Sequence, residues 1–277
     1  MRSVRTRTGA VMPVLGQGTW KMGTDPRRRP GEVAVIRLGI DLGLTLIDTA
    51  EMYGDGGAEE VVGEGIAGRR GDVFLVTKVL PQNASREGTL RAAERSLKRL
   101  HTDRIDLYLL HWISAHPLEG TLAAFDRLRE SGKVLHYGVS NFDTADLAEA
   151  VSLPGGADIA SNQVYYNLRH RGIERKLLPW CRERGIVVMA YTPLDDGRLA
   201  RSAPVNKVAI RHGVSAATVA IAWTLRHDGV VSIPKASNPG HIRENVAAAA
   251  LALTADDLSE IDRAFPAPAS EIPLETV

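Results

Sequence analysis

The chain of 277 residues holds a single cysteine, Cys181. One thiol excludes an internal disulfide and a multi-thiolate metal site. Cys181 follows Trp180 in a helical stretch and reads as a core or helix-face residue. No run approaches the roughly 18 apolar residues of a membrane span. The opening MRSVRTRTGA lacks the apolar stretch of a secretory signal. A cytoplasmic protein with no membrane partner is therefore expected, and the glycosylation sequon Asn83-Ala84-Ser85 reads as chance. Aromatic residues are scarce at 5%, and none interleaves the basic run Arg27-Arg28-Arg29. That run reads as a solvated loop, not a stacking platform for nucleic acid. A net charge of +1 argues the same way, because a nucleic-acid domain is normally strongly basic. The eight histidines show no metal-ligand spacing, and there is no H-E-x-x-H pair and no Walker A pattern. No metal is expected.

What is present is a core. At 44% hydrophobic the chain can bury one, and its length suits a (β/α)8 barrel, commonly about 250 residues. Short runs rich in Val, Ile and Leu recur: Val14-Leu15-Gly16, Thr45-Leu46-Ile47, Val73 to Val76, Ile105 to Leu110, Val134 to Val139, Ile159 to Ser161, Ile186 to Ala190 and Val230 to Ile233. Continuous apolar strands of this kind belong to parallel sheets covered on both faces. Segments of helical period lie between them, such as Gly88 to Leu100, Leu118 to Leu128 and Ser215 to Leu225. No linker or composition break appears, so one domain over residues 1–277 is expected, an α/β TIM barrel.

The runs end in polar residues. In order from the second they are Asp48, Lys78, His111, Ser140-Asn141, Asn162-Gln163, Tyr191-Thr192 and Lys235. In a barrel all strand C-termini converge on the face that carries the active site. A doubly wound sheet would gather fewer of them at one point. The G-x-G-x-x-G spelled by Gly63 to Gly68 is not a dinucleotide fingerprint, because it sits late in a helical segment that begins near Gly57 or Ala58.

Asp48, Tyr53, Lys78 and His111 suggest a chemistry. A phenol with a pKa near 10 is a poor proton donor at neutral pH and would have to come down by about 2–3 pH units to match it. A neighbouring lysine cation is expected to lower it, with an aspartate to hold the lysine and a histidine to orient a substrate oxygen. Taken singly, Asp48 could be a helix cap, Lys78 a solvated strand end, His111 a satisfied core histidine and Tyr53 a packing residue. All four, however, fall at or just after strands two to four. Lys78 as the Schiff-base lysine of an aldolase stays open on the same pattern.

The chain resembles the aldo-keto reductases over nearly its whole length. The resemblance rests on Leu15 to Trp20, Leu44 to Ala50 followed by Met52-Tyr53-Gly54, Val76-Thr77-Lys78, Leu100 to Asp103 and Asp106 to Trp112, Gly138 to Phe142, Asn162-Gln163-Val164, Ala190 to Leu194 and Ile233 to Ala236. It is most similar to the bacterial branch with short loops, some members of which reduce methylglyoxal. The resemblance implies a monomeric NADPH-dependent reductase of small carbonyl substrates, with Asp48, Tyr53, Lys78 and His111 catalytic. It also implies a cofactor groove made by Gly18, Thr19, Trp20, Asp48, Ser140, Asn141, Gln163, Tyr191, Thr192, Pro193 and Leu194. Ile233, Pro234, Lys235, Ala236, Ser237, Asn238, His241, Glu244 and Asn245 would hold the adenosine end. His241 stands where the family usually has an arginine, with Arg243 two residues on, which weakens the preference for NADPH over NADH. Trp20, Met52, Leu80 and Trp112 are expected to line an open substrate mouth. An NADPH-binding regulatory subunit with slow turnover is the alternative that the same family offers.

Overall fold

The chain opens with an antiparallel hairpin, β1 (Ser3–Arg5) and β2 (Val11–Pro13), that the pattern of apolar runs does not announce. Eight parallel strands follow in the computed structural model, which describes residues 1–276. They are β3 (Gly16–Gly18), β4 (Leu46–Asp48), β5 (Phe74–Val79), β6 (Ile105–Leu110), β7 (Val134–Ser140), β8 (Ile159–Tyr165), β9 (Val187–Tyr191) and β10 (Val230–Ser232). Spatial order follows chain order from β3 to β10. The ends meet through Ser232 N–H donating to the Val14 carbonyl (2.9 Å) and Gly18 N–H to the Pro234 carbonyl (3.1 Å). The sheet thus curls into the expected (β/α)8 barrel.

Among the described residues ten α-helices surround it: α1 (Arg29–Asp41), α2 (Gly57–Gly65), α3 (Arg86–Arg99), α4 (Leu118–Glu130), α5 (Thr144–Ser152), α6 (Leu177–Glu183), α7 (Ala203–His212), α8 (Ala216–Thr224), α9 (Pro239–Ala248) and α10 (Ala255–Ala264). Their ends are written locally. Ser85 caps α3 by accepting from Gly88 N–H, and Lys98 and Arg99 close its last turn, where cations suit the helix dipole. Asp143 and Asp146 form a reciprocal capping box on α5, as Thr254 and Asp257 do on α10. α8 is buried at every position, which fits its apolar sequence. α2 carries the first three residues of the G-x-G-x-x-G run at its C-terminal end, not after a strand. Among the described residues no helix is long and apolar enough to cross a membrane.

The barrel interior is layered by chemistry. Its lower part packs Leu46, Val76, Leu107, Leu109, Val187, Met189 and Val231 against Ala10 and Met12 of the hairpin, which plugs the N-terminal end. The upper part changes to Asp48, Lys78 and Gln163, all buried. Two boundaries differ from the sequence reading. The first barrel strand starts at Gly16, because Val14 and Leu15 already pair with Ser232 on the opposite edge. Asn162 and Gln163 lie inside β8, not at its end, because Val164 and Tyr165 go on pairing with Ala190 and Tyr191.

A partly buried ionic cluster centred on buried Arg171 ties the β8–α6 connection to α10. Glu174 accepts from Arg171 (3.0 and 2.9 Å), from Arg226 (2.7 Å) and from the Tyr166 hydroxyl (2.7 Å). Arg171 also reaches Asp262 and the Phe265 carbonyl. Removing one partner of a buried pair costs about 3–5 kcal/mol when the other is left alone. Arg171 would keep Asp262, so Glu174→Ala is expected to destabilise by about 2–3 kcal/mol. Thermal unfolding should show this as a melting temperature lower by roughly 5–10 °C, with the fold retained at room temperature.

Candidate active site

Strand C-termini bring Asp48 and Lys78 side by side at the top of β4 and β5. Lys78 is fully buried, and its Nζ donates to Asp48 Oδ2 (2.9 Å), the Thr49 carbonyl (2.9 Å) and the Tyr53 hydroxyl oxygen (3.1 Å). Three acceptors for three ammonium protons is full satisfaction. Asp48 Oδ1 accepts from Gln163 Nε2 (2.7 Å), so both carboxylate oxygens are engaged. Tyr53 accepts from Lys78 and donates to no protein group among the described residues, which leaves its own proton free. The loop that carries Tyr53 is held by backbone packing. Gly54 has φ +59, and a side chain there would meet the Met22 carbonyl at 2.8 Å; Gly23, at φ +71, lies as close against Gly57.

The electrostatics differ from the sequence expectation in one respect. Burial raises the Tyr53 pKa, Lys78 lowers it and Asp48 raises it, and the net direction is upward. The predicted lowering is not found, because a phenol this deeply buried loses more hydration than one lysine, already shared with Asp48, gives back. For Lys78 burial opposes the charge, but Asp48 and Tyr53 outweigh it, and its pKa rises. His111 is pushed down to about 2, by burial first and by Lys78 second, so it is neutral. Its ring lies edge-on to Tyr53 with centroids 5.8 Å apart, and its Nδ1 is buried without a partner.

Around this centre the other expected residues sort into those brought together and those set apart. Tyr191 donates to Asn141 Oδ1 (2.9 Å), Asn141 Nδ2 donates to Ser140 Oγ (3.2 Å) and to the His111 carbonyl (3.1 Å), and Ser140 Oγ donates to the Gln163 carbonyl (2.8 Å). Tyr191 stacks on Tyr165 at 5.6 Å. Asn141 and Thr192 both adopt left-handed backbone, at φ 60 and φ 50. For β-branched Thr192 that is a strained conformation of the kind found at ligand clamps. Gly18 pairs with Lys235 at the barrel seam, with Thr19 and Pro193 buried beside the rim. Ile233 and Ala236 turn their side chains into the core. Ser237, Asn238 and His241 are exposed at the start of α9, where Asn238 Oδ1 caps the helix by accepting from Gly240 N–H (2.7 Å). Glu244 offers its carbonyl to Thr218, Asn245 is buried, and half-buried Leu194 packs on the core.

The mouth is aromatic. Trp20 is 44% exposed and stands edge-on to Tyr53 at 4.9 Å; Trp112 is 38% exposed and 4.8 Å from the His111 ring. Met52 and Leu80 are half-buried beside them. Sequence reasoning did not single out Thr49, whose contribution is a backbone carbonyl and has no signature. It also passed over Tyr165, although an aromatic two residues past Gln163 was a readable signal, and Lys21, and it read Arg28 only as part of a solvated loop. Lys235 is half-buried, and its pKa falls because of burial first, then Arg28 and Lys21, with Glu32 opposing. These cations therefore share one region. Among the described residues no three His, Cys, Asp or Glu side chains converge as metal ligands would.

Comparison with known proteins gives one consistent result. The family model described as Aldo/keto reductase family matches residues 14–265. The chain is 50% identical to methylglyoxal reductase YeaE of Escherichia coli K12, over 96% of this chain and 95% of that protein. It is 34% identical to glyoxal reductase of Bacillus subtilis 168, over 94% and 91%. An aldo/keto reductase from Klebsiella pneumoniae, crystallised with NADP and acetate, superposes with a TM-score of 0.97 at 45% identity, over 100% of this chain and 99% of that one.

Proposed function

The chain belongs to the aldo/keto reductase family, and we propose that it reduces small aldehydes and ketones to alcohols with NADPH, using Tyr53 as the general acid. The observation that carries this reading is the buried Asp48–Lys78–Tyr53 chain, which ends in a phenol whose proton no protein group accepts. Asp48 keeps Lys78 charged. Lys78 stabilises the phenolate that forms as the proton leaves, which is where positioned charge acts most strongly. His111 is neutral and can donate to the carbonyl oxygen from Nε2, since Nδ1 is sealed. NADPH, when bound, supplies the hydride for the carbonyl carbon.

The residues fit that cofactor. The carboxamide of Asn141, the hydroxyl of Ser140 and the ring of Tyr191 form one polar and aromatic wall tied to the His111 carbonyl. Burial first, and then Arg28 and Lys21, hold the Lys235 pKa below its ordinary value, and an anion beside it, such as a 2′-phosphate, would offset the repulsion from those two cations. The exposed N-terminus of α9, which begins at Pro239, follows Lys235 by four residues, and a helix N-terminus favours an anion. NADPH is favoured over NADH on this ground, with His241 in the position of the usual arginine. The exposed tryptophans suit an open mouth and small or varied carbonyl compounds.

The first test is NADPH absorbance with methylglyoxal and with 4-nitrobenzaldehyde. Turnover of either supports the reading, NADPH binding without turnover of either overturns the substrate class, and absence of NADPH binding overturns the whole. The pH dependence follows from the shifts. The Tyr53 proton is lost only above the usual phenol value, so the acid form is complete at neutral pH and falls off as pH rises past about 10. His111 stays neutral through pH 6.5, its ordinary midpoint. Reductive kcat/KM is expected to be level from about pH 6 to 9, and a break near 6.5 would show that a charged histidine takes part.

A further inference from the structure

We propose that Glu51 is a positioning residue that pins the substrate-side loop after β5 to the loop that carries Tyr53. This rests on the reductase reading above for its kinetic consequence, but not for its structural one. Glu51 is only 7% exposed, two residues before Tyr53. Its Oε1 accepts from Leu80 N–H (2.8 Å) and from Asn83 Nδ2 (2.9 Å), and its Oε2 accepts from Arg95 of α3 (3.3 Å). Its own N–H points to the Lys78 carbonyl (3.4 Å). One carboxylate therefore fixes residues 80 to 83 relative to residues 49 to 53. A second bond extends the chain: Ser114 Oγ donates to the Pro81 carbonyl (2.8 Å), joining the segment that follows His111 and Trp112. Met52, Leu80 and Trp112 sit on these three loops.

The acceptor that matters is Oε1. It satisfies a backbone N–H in a half-buried loop that has no sheet partner there. Arg95 is 47% exposed on its side chain, so its pairing with Oε2 is screened and secondary. Glutamine keeps one oxygen at the same reach for Leu80 and Asn83 and gives up the charge together with the Arg95 acceptor. Alanine frees the loop. A misplacement of about 1 Å at a reacting centre can cost about a hundredfold in rate, and a loosened loop should reach a fraction of that.

The test uses the intact protein with Glu51→Ala, Glu51→Gln and Asn83→Ala, and three readouts. These are the hydrogen exchange of the Leu80 amide, NADPH affinity, and kcat and KM for methylglyoxal and 4-nitrobenzaldehyde. In Glu51→Ala the Leu80 amide is expected to exchange at least about tenfold faster and kcat/KM for aldehydes to fall about tenfold or more, with NADPH affinity within about twofold. Glu51→Gln should recover most of both losses, and Asn83→Ala should lie between. Folded Glu51→Ala with wild-type kcat/KM for both aldehydes overturns the proposal, and so does Glu51→Gln as impaired as Glu51→Ala, which would assign the effect to charge. Should Glu51→Ala not fold, Asn83→Ala with wild-type kinetics and wild-type Leu80 protection overturns it. If the wild-type chain binds NADPH but turns over neither aldehyde, the proposed substrate class fails, while Leu80 exchange still decides the pin.

Discussion

Tyr53→Phe is expected to lower the rate of carbonyl reduction by about 10²–10⁴-fold, the range attributed to one positioned general acid. The substitution removes one oxygen and little else. The phenol accepts from Lys78 and donates to no protein group among the described residues, so no donor but Lys78 loses a partner. Lys78 keeps Asp48 and the Thr49 carbonyl. NADPH affinity should therefore stay within about threefold of wild type, which is under ~0.7 kcal/mol. Single-turnover kinetics with saturating NADPH is the measurement. A Tyr53→Phe protein that retains a tenth or more of the rate would remove Tyr53 from the proton transfer and turn attention to a water held by His111.

The second large effect concerns stability as well as rate. Lys78→Met replaces the fully buried ammonium by an apolar chain of similar length and leaves Asp48, itself buried, with Gln163 as its one remaining side-chain donor. Stranding a buried charge costs about 3–5 kcal/mol. Urea unfolding should register that loss, and the melting temperature should drop by roughly 6–20 °C at about 2–4 °C per kcal/mol. Adding Asp48→Asn removes the stranded charge, so the double variant is expected to regain most of the stability and none of the activity. That split matters: recovery of both would mean the pair is structural, and recovery of neither would mean that Lys78 serves mainly by packing. The same comparison separates a reductase from an aldolase, because a lysine that only tunes a phenol is not labelled by borohydride in the presence of substrate.

Several features of the site are legible in the amino-acid sequence. Asp48, Lys78 and His111 could be picked out because each interrupts an apolar strand at its end, and a barrel brings strand ends together. The Gly63 to Gly68 run could be set aside because its context was helical. Other features had no local trace. The direction of the Tyr53 shift depends on how much water the folded loop excludes and on how Lys78 divides its charge, neither of which is written at position 53. Asn162 and Gln163 looked like strand-end residues because polarity breaks the apolar run, yet β8 continues past them to Tyr165. Glu51 reads as an ordinary polar loop residue, and its three partners lie 29, 32 and 44 positions away.

The sequence by itself determined the barrel, the face on which chemistry would gather and the residue types available there. Short continuous apolar runs, the segments of helical period between them and the polar endings of those runs are local facts that survive any arrangement of the helices. The tertiary structure alone decided that the hairpin closes the barrel floor, that Lys78 spends its three protons on Asp48, Thr49 and Tyr53, and that His111 is neutral. These are properties of distance and of excluded water, and both are created only when segments remote in the chain are packed against one another.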